Sequence, residues 1–383
     1  MSGSCSLYFH IPFCTKKCPY CHFYVLPNLD AYHTQLLEAL AIEWQKAIPL
    51  LKNQTIVSIY FGGGTPSLFG PLNIQTILQW IQKSGLAIDE HCEITLEANP
   101  ESFTRELARD FFQAGINRLS LGVQSLDSSS LLTLGREHNA NQAILAIENA
   151  ALSGIKNISI DLMYDLPSQT EESWKNTLSL LKDLPISHLS LYNLTIEPNT
   201  VFFKKRKELT PLLPTMATSL SMLQSAVSTL EEIGLLRYEV SAFAKSGFHS
   251  IHNTGYWTAR PFLGFGPSAF SYWDKKRFRN SANLSKYAAA LKAEESPVDF
   301  SEKLPYPSDI AELLAIELRL LKGVDSSSFE RQHGLFSSEI QESLKTLVQR
   351  GWLKNEGPLL QLTAEGLLFY DSVAEEIILP AVE

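Results

Sequence analysis

The chain has 383 residues, and at roughly 150 residues per domain this suggests two or three units. Lysine and arginine number 32 against 41 acidic residues, a net charge of -9 that argues against a general nucleic-acid binder, which needs a basic stripe. Hydrophobic residues make up 45% and charged ones 19%, enough for a sizeable core and too little charge for disorder.

No apolar run reaches the roughly 18 to 20 residues of a membrane helix. Met1 to Tyr8 lacks the basic and apolar stretches of a secretory signal. A cytoplasmic protein is expected, with no nucleic-acid partner and at most a peripheral membrane contact.

Short β-type runs alternate with helical patterns through the first half. Strands are read at Leu7 to Ile11, Ile56 to Phe61, Glu93 to Glu97, Arg118 to Gly122, Asn157 to Asp161 and His188 to Asn193. Helices are read between them at Asp30 to Ile48, Leu72 to Ser84, Thr104 to Ala114, Asn141 to Ser153 and Glu171 to Lys182. Gly115 and Gly154 are stop signals. Successive β-α units imply a parallel sheet covered by helices, and both a barrel and a doubly wound sheet fit.

Beyond residue 200 the pattern changes. A short basic run, Lys204 to Lys207, reads as a solvated face. A long helix is predicted over Leu212 to Ile233, and Tyr238 to Tyr272 is rich in glycine and aromatics without clear periodicity. Helices at Ile310 to Leu321 and Ser337 to Arg350, a short hairpin and a last helix from Thr363 resemble a winged-helix module. The expected division is a core over 1–237, a connecting region over 238–300 and a C-terminal domain over 301–383.

Five cysteines are present, and three fall in Cys14-x3-Cys18-x2-Cys21. An odd, clustered set is a poor disulfide framework. Structural zinc usually takes two separated pairs, and His22 follows Cys21 too directly to chelate well. An iron-sulfur cube held by three thiolates leaves one iron open for a ligand. Unrelated core cysteines are the bland alternative, which Pro12, Lys16, Lys17 and Pro19 disfavour by marking a loop.

Ligands gather at the carboxyl ends of parallel strands. The cysteine loop, Gly62-Gly63-Gly64, Glu97 with Asn99, Gln124, Asp161 and Asn193 all follow or end such strands. Gly63 and Gly64 allow close backbone approach to a small ligand. Glu97 can accept from a ribose hydroxyl pair. Arg136 can clamp a carboxylate, or form an ordinary surface ion pair. Asp161 can equally be a core carboxylate bonded to backbone amides.

The segment from Tyr8 to Cys21, Y-x-H-I-P-F-C-x3-C-x2-C, resembles the signature of radical S-adenosylmethionine (SAM) enzymes. Its flank resembles the anaerobic coproporphyrinogen III oxidase group, which includes a heme-chaperone branch. The likeness extends through GGGTP at Gly62 to Pro66, LEANP at Leu96 to Pro100, GVQS at Gly122 to Ser125, LGRxH at Leu134 to His138 and HNTGYW at His252 to Trp257.

The resemblance implies an incomplete TIM-like barrel of six β-α units with a helical, winged-helix-like C-terminal domain. It implies a 4Fe-4S cluster on Cys14, Cys18 and Cys21, with SAM on the open iron. Tyr8, Gly63, Gly64, Thr65, Glu97, Gln124, Arg136 and Asp161 would line the SAM site. An electron passing from the cluster into SAM would yield methionine and a 5'-deoxyadenosyl radical.

Only seven residues precede Tyr8, and Phe23 stands where the oxidases carry a further cysteine. Both features point to the heme-chaperone branch, with heme, acceptor proteins and an electron donor as partners. The alternative is oxidative decarboxylation of coproporphyrinogen III, and a third reading is a cluster protein with a vestigial SAM site. His252, Tyr256 and Trp257 resemble the motif linked with heme binding in that branch, where an imidazole or phenol could serve as axial ligand. The chain departs from the group at His22 (usually Asp), Asp165 (usually Gly), Ser268 (often Gly) and Phe270 (often His).

Overall fold

The computed structural model describes residues 3–381. Six parallel strands form its centre: β1 (Gly3–Ile11), β2 (Gln54–Gly63), β3 (Ala87–Ala98), β4 (Arg118–Gln124), β5 (Asn157–Tyr164) and β6 (His188–Asn193). They lie side by side in chain order. That order separates the two readings left open by the pattern. A doubly wound sheet reverses direction at a switch point, whereas a barrel steps one way. The fold is the expected incomplete barrel.

Period-two alternation sorts the strand residues. Leu7, Phe9 and Ile11 on β1, Phe61 on β2 and Leu96 on β3 join the apolar core shared with the helices. The other face carries Ser6, Tyr8 and His10 beside Ser58 and Tyr60, followed by Glu93, Thr95, Glu97, Arg118, Ser159 and His188. Most of these polar residues are buried, so the barrel interior is a polar lumen. Local signals set the helix ends. Thr104 caps Arg105–Ala114, which stops at Gly115 (φ 111°). Asn139 and Gln142 form a capping box on Ala140–Ser153, which stops at Gly154 (φ 106°).

The structure differs from expectation over 238–300. This stretch is built into the main sheet. The remaining strands are β7 (Leu236–Glu239), β8 (Ala242–Ala244), β9 (Phe262–Phe265), β10 (Phe270–Trp273), β11 (Lys276–Asn280) and β12 (Val298–Glu302). The sheet runs β12-β11-β10-β9-β1-β2-β3-β4-β5-β6-β8-β7, and β9 pairs parallel with β1. Strands of three to five residues are too short to show a period. Close packing also demands glycine among them: a Cβ on Gly264 would lie 2.0 Å from the Phe270 carbonyl oxygen.

The predicted helix from Leu212 starts later, as Met216–Glu232, because Thr215 caps it just after Pro214. The basic run falls on two one-turn helices, Val201–Lys204 and Arg206–Leu209, with Lys204 to Lys207 exposed. Residues between Ile310 and Ala381 form a second apolar core from short helices and a three-stranded sheet. Among the described residues no helix is long and apolar enough to cross a membrane.

Candidate cofactor site

The cysteine loop leaves β1 and is pinned from both sides. Phe13–Cys14 pairs with Leu26–Pro27, and the Cys21 amide donates to the Cys18 carbonyl at 3.1 Å. The triple glycine docks it. The Gly64 amide donates to the Ile11 carbonyl at 2.9 Å and the Thr65 amide to the Phe13 carbonyl at 2.7 Å. Gly63 takes φ 119° with the His10 ring against it, so a side chain is excluded twice over. These glycines therefore press two backbones together as well as bordering the cavity.

Cys14, Cys18 and Cys21 wall a cavity of about 420 Å³ at the carboxyl ends of the strands. Gly63, Gly64, Thr65, Glu97, Gln124, Arg136 and Asp161 line it too. Tyr8 does not. Its hydroxyl bonds His10 Nδ1 at 3.0 Å, and its ring stacks on Tyr60. Tyr60 in turn donates to Glu97 Oε1 at 2.8 Å, so Tyr8 supports a residue of the wall.

A chain of hydrogen bonds joins two of the thiols. Cys14 Sγ lies 3.7 Å from Thr65 Oγ1, which accepts from Asn99 Nδ2 at 3.1 Å. Arg136 Nη2 donates to Asn99 Oδ1 at 2.8 Å, and Arg136 Nη1 donates to Cys18 Sγ at 3.5 Å. The close fit of Gly135 against Pro19 brings Arg136 to the loop. Glu101 lies 3.9 Å from Arg136 and 3.2 Å from His138. Glu101 is absent from the sequence-derived site. Asn99 shows only as a polar strand end, and its bridge depends on the pairing of three strands.

Burial governs the electrostatics. It raises the Cys14 thiol to about 11 and moves Cys21 the same way, so without a metal these thiols hold their protons at neutral pH. It also raises Glu97 to about 7, although Tyr60 and the Gly63 amide (3.0 Å) donate to its carboxylate. Asp161 rises to about 6 for the same first reason, opposed by bonds from Ser190 and Ser120.

The donor set suits a cluster. Among the described residues no three His, Cys, Asp or Glu side chains gather closely enough for a single metal ion. Three thiols around one cavity wall suit a larger cube, with the Arg136 guanidinium donating to Cys18 Sγ and the Thr65 hydroxyl beside Cys14 Sγ. Arg136 Nε is buried without a partner, an orphan donor suited to an anionic ligand group.

The HNTGYW segment is helical. It forms the short helix Ile251–Trp257, which plugs the floor of the lumen. Glu93 on β3 accepts from the Ile251 amide at 2.9 Å and the His252 amide at 3.0 Å, and lies 3.8 Å from Arg118 Nε. His252 is 1% exposed. Its Nδ1 meets Ser58 Oγ at 2.9 Å and its Nε2 meets the Tyr256 hydroxyl at 2.8 Å. Trp257 packs under the Arg319 guanidinium at 4.3 Å. As folded, neither imidazole nitrogen is free for an iron, and Trp257 stacks on protein.

All four departures from the group are accounted for or placed. Asp165 (φ 61°) and Ser268 (φ 69°) both hold left-handed backbone, the conformation that favours glycine. Phe270 is half-exposed beside Arg279 and Phe300, away from the cavity. His22 and Phe23 border the cavity and are exposed.

An incomplete parallel barrel with a three-cysteine loop at its open end defines a radical SAM protein. Residues 8–181 match the Radical SAM superfamily and residues 307–369 match the HemN C-terminal domain. The chain is 34% identical over 382 residues to the heme chaperone HemW of Haemophilus influenzae, covering 97% of each. It is 31% identical over 373 residues to heme chaperone HemW of Bacillus subtilis, covering 96% of this chain and 97% of that one. The coproporphyrinogen III oxidase HemN of Escherichia coli, a radical SAM enzyme, shares the fold. The two superpose with a TM-score of 0.84 at 24% identity, over 98% of this chain and 90% of that one. Within the superfamily, this chain belongs to the HemW family. Superfamily membership carries a 4Fe-4S cluster and SAM as cofactors.

Proposed function

We propose that the protein is a heme carrier that binds a 4Fe-4S cluster, SAM and heme and delivers heme to acceptor proteins. Cys14, Cys18 and Cys21 would hold the cluster, and Glu97 would take the SAM ribose. Gly63, Gly64, Thr65, Gln124, Arg136 and Asp161 complete that site. The cluster, when bound, supplies a single electron at low potential. The residues of this chain orient SAM, close the lumen from below and hold the thiols beside fixed donors. Residues 301–383 act as the C-terminal unit of the carrier.

The observation that carries the reading is the convergence of the three thiols with Arg136, Thr65 and Glu97 on one cavity. Heme enters through the likeness to proteins named heme chaperones over nearly the full chain. The test uses anaerobically reconstituted full-length protein. One arm mixes heme-loaded protein with an apo-heme protein and follows the acceptor's absorbance. The other supplies coproporphyrinogen III, SAM and a reductant. Heme transfer without porphyrinogen turnover is expected. Turnover to protoporphyrinogen IX would replace the carrier by an oxidase.

A further inference from the structure

A second cavity, of about 470 Å³, lies between the open edge of the barrel and the C-terminal domain. Tyr192 on β6 and Thr195 just beyond it line both this cavity and the cysteine cavity. A ligand held here would lie next to the SAM site.

Two arginines line this cavity, Arg237 from β7 and Arg319 from the C-terminal domain. Arg237 donates to the Val240 carbonyl, and its Nε is buried without a partner. Arg319 donates to Glu239 Oε2 and Ser241 Oγ, each at 3.3 Å. Its guanidinium is held between the rings of Trp257 (4.3 Å) and Tyr370 (4.9 Å), and its Nε is also buried and unpartnered. Glu239 is the one carboxylate engaged with this pair. Asp371 is exposed at the rim, in the first turn of helix Tyr370–Ile378. The cavity therefore holds two guanidinium groups, each with an unused Nε donor, with Glu239 on Arg319 and Asp371 at the rim. Buried donors of this kind call for an acceptor.

The remaining wall is mixed, with Asn193, Thr195, Ser241 and Ser372 among its polar residues and an apolar group on one side. Leu223 faces Leu368 and Phe369 around the cavity, and both of the latter are 44% exposed. Met216 and Leu220, four and three residues apart on the same helix stripe as Leu223, continue the apolar strip into solvent. Guanidinium groups within and a broad apolar rim outside match a flat amphipathic carboxylate.

We propose that this cavity seats the heme, its carboxylates against Arg237 and Arg319 and its ring against Tyr192, Leu223 and Phe369. The proposal rests on the heme-carrier reading. It places the seat at the domain boundary and leaves His252 in the barrel floor.

The test titrates full-length wild type, Arg237→Gln and Leu368→Glu with heme, followed by the Soret band, and repeats wild type and Arg237→Gln with heme dimethyl ester. Arg237→Gln should weaken heme binding about tenfold, the worth of one charge-assisted pair. Leu368 is 44% exposed, so Leu368→Glu should keep the fold and weaken heme by a similar factor. The ester should bind wild type about tenfold more weakly than heme and lose nothing more in Arg237→Gln, because the paired group is already gone. Wild-type affinity in both variants, or equal binding of ester and acid, would overturn this seat and leave the carrier reading standing. No saturable binding by wild type would overturn both.

Discussion

Gly64→Ala tests how the cysteine loop is held. A Cβ at this position would lie 2.6 Å from the Phe13 carbonyl oxygen, 2.8 Å from the Pro12 carbonyl carbon and 3.0 Å from the Phe13 amide nitrogen. All three are backbone atoms of the chain leading into Cys14, so no rotamer change relieves the overlap. The loop must retreat by several tenths of an ångström. Overpacking of this kind costs about 1–3 kcal/mol. Stretching the Gly64 to Ile11 and Thr65 to Phe13 hydrogen bonds adds about 1 kcal/mol. Urea unfolding of the metal-free protein should show a loss of about 3 kcal/mol on these grounds. Anaerobic reconstitution should leave less iron per chain than in wild type, because Cys14 moves with the loop. Wild-type stability together with wild-type iron content would refute the docking role of the glycines.

Other variants probe the rest of the account. Glu97 titrates at about 7, raised first by burial, so its ionised fraction rises from pH 6 to pH 8. If the carboxylate accepts from a ribose, SAM affinity should rise about tenfold over that interval, and the rise should vanish in Glu97→Gln; a wild-type affinity flat with pH would contradict this. Asn99→Ala removes the link between Thr65 and Arg136 and should weaken SAM binding about tenfold by calorimetry, the scale of one lost hydrogen bond to a charged group. An unchanged SAM affinity would dismiss the network. Burial lowers His252 to about 3. Below pH 6.5 the unfolded chain takes up a proton that the folded site refuses, so this contribution to stability is whole above 6.5 and declines toward pH 3. The slope is about 1.4 kcal/mol per pH unit and should be missing from the acid limb of His252→Gln. That variant should still bind heme, and loss of the Soret shift in a folded His252→Gln protein would return the imidazole to the heme site.

The parts of the fold that local chemistry specifies were legible in the sequence. Thr104 with Gly115, and Asn139 with Gly154, mark helix ends through neighbours only a few residues away. The cysteine spacing and the polar strand ends other than Asn193, which lines the second cavity, fall at one cavity because parallel strands share one ligand-facing edge. What escaped depends on distant partners. Glu93 meets Ile251 across 158 positions, so nothing local shows that the HNTGYW segment closes a lumen. His252 reads as an available imidazole until Ser58, 194 positions earlier, is found on its Nδ1. Asn99 and Tyr8 carry no signal that separates a residue in the cavity wall from one that braces it. The edge strands after residue 236 are too short for periodicity, and the pairing of β9 with β1 is a tertiary fact.

The electron paramagnetic resonance spectrum of the reduced, reconstituted protein, recorded with and without SAM, tests the central assignment most directly. If Cys14, Cys18 and Cys21 hold a cube with one iron open to the cavity, wild type should give a cluster signal that changes shape on adding SAM. Cys18→Ala should lose both the signal and the response. A signal indifferent to SAM, or one that survives Cys18→Ala unchanged, would contradict the site.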